Sequence, residues 1–214
     1  MSEVIDVSPA LRPGMAVFPG DAAYSTKPTF EIGPDCPVNV AEFSMSCHCG
    51  AHVDAPLHYQ KNGLSIDQLP LEEFIGPARV IDARGSGSLC QPEDILPHLE
   101  GNPSRILLRL AESLDPMIWP KGFRALAPET IKLLAERGVT LIGVDVPSVD
   151  PETSKELPAH MMARDQNMHI VENLLLQDVS VGDYELICLP LKLYGLDAAP
   201  VRAVLRPLPG LEDQ

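Results

Sequence analysis

Short apolar runs rich in β-branched residues recur along the chain, and glycine or proline interrupts each of them. This pattern predicts many short strands and few helices. The 22 prolines among 214 residues exclude long uninterrupted helices. The predicted strands cover residues 4–7, 38–46, 78–83, 105–110, 140–144, 170–175, 185–191 and 201–205.

The clearest helical pattern lies at residues 127–138. Pro128 occupies a first-turn position, Glu129 lies near the positive end of the helix dipole, and Gly138 follows the last apolar position. Two further helices are predicted at 92–99 and at about 154–164. Because the best helix is followed directly by a buried strand, the pattern indicates an α/β fold with a mixed sheet.

A single domain accounts for the whole pattern. The length suits one domain, and we find neither a linker composition nor an internal repeat. We therefore expect one domain over residues 1–209, followed by a short acidic C-terminal tail at 210–214.

The charge balance narrows the possible functions. Acidic residues outnumber basic ones 30 to 16, giving a net charge of -14, which disfavours nucleic acid and anionic membranes as partners. No apolar run is long enough to span a membrane, and the N-terminus does not resemble a signal peptide. Five cysteines without a framework spacing favour a reducing, cytoplasmic location.

Residues 47–59, Cys-His-Cys-Gly-Ala-His-Val-Asp-Ala-Pro-Leu-His-Tyr, concentrate the side chains that could carry chemistry. On a helix, Asp54 would point well away from His48. In an extended strand, His48 and His52 would share one face with Asp54, while the small apolar residues between them would face the core. Gly50 would then leave room on the polar face for a bound group.

Two imidazoles and one carboxylate on a strand face predict a metal site, with Zn²⁺ favoured and Mn²⁺ or Fe²⁺ as alternatives. Two alternative interpretations remain. The histidines could be hydrogen-bonded without a metal, or Cys47 and Cys49 could belong to a closed structural zinc site. His58 falls beyond the strand end, where an imidazole suits general acid–base catalysis at neutral pH.

Two distant residues are further ligand candidates. Glu172 interrupts an apolar strand, so it either faces solvent or holds a cation. His160 is ranked above His169, which alternation places on the other side of the strand from Glu172. The serine-hydrolase elbow, the phosphate-binding loop and the H-E-x-x-H motif are all missing from the sequence. Metal-activated water remains as the chemistry these residues would support.

The run from His48 to His58 resembles the HxGTHxDxPxH signature of the cyclase-like metal-dependent amidohydrolases. Residues 6–21, 141–155, 182–192 and 196–206 are similar to bacterial kynurenine formamidases (arylformamidases) of this family. The resemblance implies a swivelling β/β/α fold, a homodimer, and hydrolysis of N-formyl-L-kynurenine to L-kynurenine and formate in tryptophan catabolism.

The resemblance also implies roles for individual residues. The implied metal ligands, for two ions that are usually zinc, are His48, His52, Asp54, His160 and Glu172, with Asp54 bridging. His58 would donate and accept the proton, and Phe18 would contact the substrate ring.

Two positions depart from the family pattern. Phe18 replaces the usual tryptophan and loses its indole donor, and Ala51 replaces a threonine whose hydroxyl could support a ligand. Both departures bear on substrate preference and rate. A related amidohydrolase acting on another aryl or cyclic amide such as isatin is therefore an alternative, and a non-catalytic metal-binding protein is a remote one.

Overall fold

A nine-stranded mixed sheet organises the structure, a computed structural model that describes residues 4–208. The strands in chain order are β1 (Ile5–Asp6), β2 (Ser25–Phe30), β3 (Val40–Ser44), β4 (His52–Asp54), β5 (Ile75–Asp82), β6 (Leu89–Cys90), β7 (Arg105–Arg109), β8 (Ala125–Leu126), β9 (Leu141–Val144), β10 (His169–Glu172), β11 (Gly182–Ile187), β12 (Ala198–Pro200) and β13 (Val204–Pro207). The helices are α1 (Pro92–Ile95), α2 (Pro128–Glu136) and α3 (Pro158–Asp165). Short 3₁₀ turns lie at Pro56–His58, Ile66–Gln68, Leu71–Phe74 and Leu96–His98.

The order in the main sheet is β1-β13-β11-β5-β7-β9-β10-β4-β12. Strands β5, β7, β9 and β10 run parallel, and the other neighbours pair antiparallel. The predicted α/β class with a mixed sheet is thus confirmed. Strand β4, which comes early in the chain, lies between β10 and β12, both formed by the C-terminal part.

Both faces of the central strands are buried. Along β7, Ile106 and Leu108 pack in the cluster that includes the apolar residues of α2 and α3, whereas Leu107 packs in the cluster on the other face. This alternation follows from the two-residue period of a strand. The same rule decides which face of β4 and β10 meets the helices.

A two-stranded hairpin of β2 and β3 stands outside the main sheet. Every residue of both strands is exposed. Strand β2 escaped the sequence analysis because it contains Pro28 and has no buried face to produce an alternating pattern. The exposed apolar residues of the hairpin are Phe30, Ile32, Val38, Val40 and Phe43.

Some element boundaries differ from the sequence predictions for local reasons. The helix expected from about 154 begins only at Pro158, because Leu157 before it adopts a left-handed conformation with φ of 48°. The strand expected at 201–205 begins only at Val204 as β13, and the separate strand β12 ends before it at Pro200. The helix expected at 92–99 is divided into α1 and a 3₁₀ turn at Pro97. The expected acidic tail at 210–214 lies outside the described residues.

No helix within residues 4–208 is long and apolar enough to cross a membrane.

Candidate metal centre and active site

Two neighbouring antiparallel strands bring three polar side chains together. His52 of β4 pairs with Glu172 of β10, and Asp54 pairs with Ile170. Because Val53 and Val171 pack in the cluster on the face away from the helices, His52, Asp54 and Glu172 face the helical side. All three are at most 5% exposed, so their polar groups need partners inside the protein.

Helix α3 adds His160 to these strand residues. Its Nε2 lies 3.4 Å from Asp54 Oδ2 and 3.6 Å from Glu172 Oε1. Asp150, a residue that the sequence analysis did not single out, accepts hydrogen bonds from His160 Nδ1 at 2.7 Å and from the backbone N–H groups of Ala159 and His160 at 3.0 Å each. One carboxylate therefore caps the helix and fixes the ring so that Nε2 faces Asp54.

His48 reaches the cluster from a turn, which corrects the prediction of a strand running from residue 48 to 54. The strand begins only at His52, because Gly50 has a φ of +72°. Gly50 does not leave space for a bound group, since a Cβ there would lie 2.5 Å from Leu11 Cδ2. His48 Nδ1 nevertheless lies 3.1 Å from Asp54 Oδ1.

Four buried polar atoms in the cluster have no hydrogen-bond partner among residues 4–208. They are His52 Nε2, both carboxylate oxygens of Asp54, and His160 Nε2. The Nδ1–H of His52 donates to the Gly50 carbonyl at 2.9 Å, so its Nε2 presents a lone pair inward. Neighbouring candidate donor atoms lie 3.1 to 3.6 Å apart. Atoms bound to one ion at about 2.0–2.2 Å have this spacing, so the residues fit divalent metal ions.

The electrostatics of the cluster favour bound cations. Burial alone would lower the pKa of His52, but the neighbouring carboxylates of Asp54 and Glu172 outweigh it and raise the pKa to about 10. The pKa of His160 is likewise raised to about 10, because Asp150 and Asp54 outweigh its burial. Burial opposes ionisation of Asp54 as well, but three histidines hold its pKa well below the usual range. Protons and metal ions therefore compete for the same nitrogens.

Asp197 links His48 to His58 and was also missed by the sequence analysis. Its Oδ2 lies 3.0 Å from His48 Nε2 and 3.4 Å from His58 Nδ1. A hydrogen bond from His48 Nε2 leaves Nδ1 free to face Asp54. His58, in the 3₁₀ turn after β4, also has a ring nitrogen within 4.8 Å of donor atoms of Asp54 and His160. Its position is compatible with proton transfer at the metal site.

The remaining residues considered from the sequence do not contribute to this cluster. No group within residues 4–208 that could hold a metal contains a cysteine, which leaves the alternative with Cys47 and Cys49 without support. His169 contacts Phe74, with ring centroids 5.2 Å apart. Ala51 packs in the core cluster opposite the metal candidates, so a threonine hydroxyl at that position would not face this site.

A cavity of about 300 Å³ opens onto the cluster. Phe18 lies on its wall, and its ring meets Trp119 edge-on at a centroid distance of 5.5 Å. The Nε1 of Trp119 is buried and has no hydrogen-bond partner within the described part of the chain. The lining residues are Ala16, Val17, Phe18, Asp21, His48, His52, His58, Trp119, Pro147, Ser148, Leu157, His160, Glu172 and Asn173.

Comparison with known proteins agrees with this arrangement. The family model described as putative cyclase matches residues 5–151. The chain belongs to the cyclase family. A kynurenine formamidase from Bordetella petrii is 50% identical over 208 residues, which is 97% of this chain and all of the relative.

Solved structures of other proteins share the fold. A predicted metal-dependent hydrolase from Bacillus stearothermophilus superposes with a TM-score of 0.83 at 26% identity, covering 97% of this chain and all of that one. Isatin hydrolase A from Labrenzia aggregata, bound to benzyl benzoate, gives a TM-score of 0.79 at 23% identity, covering 96% and 94% of the two chains. At that identity the second match shows the fold alone.

Proposed function

We propose that this cyclase-family chain is a metal-dependent arylformamidase that hydrolyses N-formyl-L-kynurenine to L-kynurenine and formate in tryptophan catabolism. The observation that carries the proposal is 50% identity over the full length of a kynurenine formamidase. A cavity with an aromatic wall and a cluster of buried donor atoms at one end supports it.

We assign His48, His52 and Asp54 to one metal ion, and Asp54, His160 and Glu172 to a second, with zinc as the expected metal. Histidine nitrogens and carboxylate oxygens together suit zinc better than magnesium or calcium. Bound divalent ions would supply an activated water and polarise the formyl oxygen. Asp150 and Asp197 hold His160 and His48 in the ring orientations that this assignment needs.

His58 is the proton carrier in this proposal. With Nδ1 donating to Asp197, its Nε2 is free to take a proton from the attacking water and return it to the aniline nitrogen. The nitrogen needs that proton because an anilide anion is a poor leaving group near neutral pH. Asp197 is a positioning residue that stabilises the charged imidazole formed between the two transfers.

Phe18 and Trp119 hold the aryl ring. The edge-to-face pair offers the apolar surface that an aromatic substrate needs. Trp119 thus places an indole ring on the same cavity wall as Phe18.

The first test incubates purified protein of known metal content with N-formyl-L-kynurenine and follows kynurenine absorbance with and without a chelator. Chelator-sensitive release with up to two ions per chain is expected. Metal without turnover would overturn the substrate assignment and direct the assay to isatin, and protein that binds no metal would overturn the site.

A second test separates the two roles that His58 could have. His58→Ala is expected to lower kcat about 100-fold or more while metal content stays at the wild-type value. Loss of one metal ion in this variant would make His58 a ligand and contradict its role as proton carrier.

Two further proposals concern the state of the protein. All five cysteines are free, which is typical of a reducing compartment, so we propose a cytoplasmic location. We also propose a homodimer. Every residue of the β2–β3 hairpin is exposed, and its exposed apolar side chains would be buried if the hairpin packed against a second copy of the chain. Sedimentation analysis of the purified chain tests this second proposal.

A further inference from the structure

The cavity carries one charged group that neither the metal assignment nor the proton transfer uses. Asp21 lies on its wall together with Phe18 and Trp119. The backbone N–H of Asp21 donates to the Phe18 carbonyl at 2.9 Å, in a turn where Gly20 has a φ of +95°. This turn holds the backbone of Asp21 close to Phe18 on the aromatic wall of the cavity.

The carboxylate of Asp21 has no cationic partner within residues 4–208. Its Oδ1 accepts a hydrogen bond from the backbone N–H of Ala22 at 2.7 Å, and Oδ2 has no donor among the described groups. Elsewhere, many aspartates form ion pairs with arginine, as Asp82 and Asp183 do. Asp21 is therefore a charge with a free acceptor oxygen facing a ligand cavity.

The described wall of the cavity contains no lysine or arginine. A substrate carboxylate could therefore form an ion pair only with metal ions or protonated histidines at the deep end of the cavity. A substrate ammonium group could form an ion pair with Asp21. The cavity thus discriminates by charge among aryl amides that have the same ring.

We propose that Asp21 forms a binding subsite for the α-ammonium group of an amino-acid substrate. The inference rests on the proposed function, because N-formyl-L-kynurenine carries an ammonium group at the end of the chain on its ring. With the formamide at the metal cluster and the ring on Phe18 and Trp119, Asp21 receives the amino-acid end. Isatin has no ammonium group and gains nothing from this subsite.

The test compares three formamides that differ only in the side chain on the ring. They are N-formyl-L-kynurenine, its desamino analogue with the carboxylate alone, and 2-formamidoacetophenone with neither charge. Asp21→Asn is expected to lower the kcat/KM of the zwitterion relative to the neutral amide by about fivefold, since an ion pair with an exposed carboxylate contributes up to about 1 kcal/mol. The ratio for the anionic analogue to the neutral amide is expected to rise.

Opposite signs for the two charged substrates are the decisive result, because a structural defect would lower all three activities together. Equal losses, or ratios within about twofold of wild type, would overturn the subsite. Glu93→Gln removes the same charge from an exposed position on α1 and is the matched control.

Failure of the proposed function gives a different result. If the wild-type protein cleaves none of the three formamides, the function itself is wrong. If it cleaves 2-formamidoacetophenone with the same kcat/KM as N-formyl-L-kynurenine, the function stands and the ammonium subsite is overturned.

Discussion

Asp150 offers the sharpest test of the metal assignment, because it touches His160 without being a ligand candidate. Its carboxylate accepts three hydrogen bonds, two at Oδ2 from His160 and one at Oδ1 from Ala159. In Asp150→Asn, the amide oxygen can replace Oδ2, but the amide NH₂ group then faces the Ala159 N–H. One buried donor loses its acceptor, and His160 loses the charge that supports its donor nitrogen.

The expected cost follows from these contacts. Changing the partner of a metal-binding histidine lowers metal affinity by about 10- to 100-fold, or roughly 1.4 to 2.8 kcal/mol. Because Asp150 contacts only the His160 side, the ion assigned to His160 and Glu172 should weaken more than the ion assigned to His48 and His52, which is linked to Asp150 only through the shared Asp54.

The assay is a titration of metal-free protein with Zn²⁺ in competition with a chromophoric chelator, which resolves the two binding steps. Glu93→Gln serves again as control, and circular dichroism confirms that Asp150→Asn is folded, since loss of the helix cap costs about 1 kcal/mol. A folded variant with both steps unchanged, or with both steps weakened equally, would refute the assignment of His160 to a separate ion.

Three other predictions follow from single contacts. With metal supplied at saturation, Asp197→Asn should lower kcat about tenfold or more, because His58 loses the carboxylate that positions it; an unchanged kcat at saturating metal in steady-state kinetics would contradict the positioning role. Burial raises the pKa of Asp145 to about 7, so its protonation stabilises the fold below about pH 4 and this contribution is lost as pH rises through about 7. Urea unfolding should therefore show Asp145→Asn gaining stability relative to wild type between about pH 5 and about pH 8, and a pH-independent difference would disprove it. Gly50→Ala should lower the free energy of unfolding by about 1–2 kcal/mol through its positive φ, which equal urea midpoints would exclude.

The sequence predicts those site residues that lie in strands, where side chains alternate with a period of two residues. His52 and Asp54 share a face because they are two residues apart in β4, and Glu172 was recognisable as a carboxylate inside an apolar strand. The position of His48 was predicted for a wrong reason, because the turn at Gly50 replaces the first half of the expected strand.

The supporting residues could not be predicted in the same way. Asp150 and Asp197 carry no periodic signal, and their roles depend on contacts across 10 and 149 positions of the chain. Trp119 lies in an irregular segment before β8, and only the folded chain brings it against Phe18. Long-range contacts of single side chains decide these positions, and local pattern contains no information about them.

The place of β4 in the sheet has a consequence for how the protein is made. Its partners β10 and β12 are synthesised much later than β4 itself, and a domain generally folds as a unit. The histidine-rich segment must therefore wait, unpaired, until more than half of the remaining chain has been translated. The parallel strands β5, β7 and β9 can pair in the meantime, and β4 enters the sheet when β10 is available. The site assigned to Asp54, His160 and Glu172 is thus completed only when α3 and β10 have joined β4, so a chain that ends before β10 lacks this site.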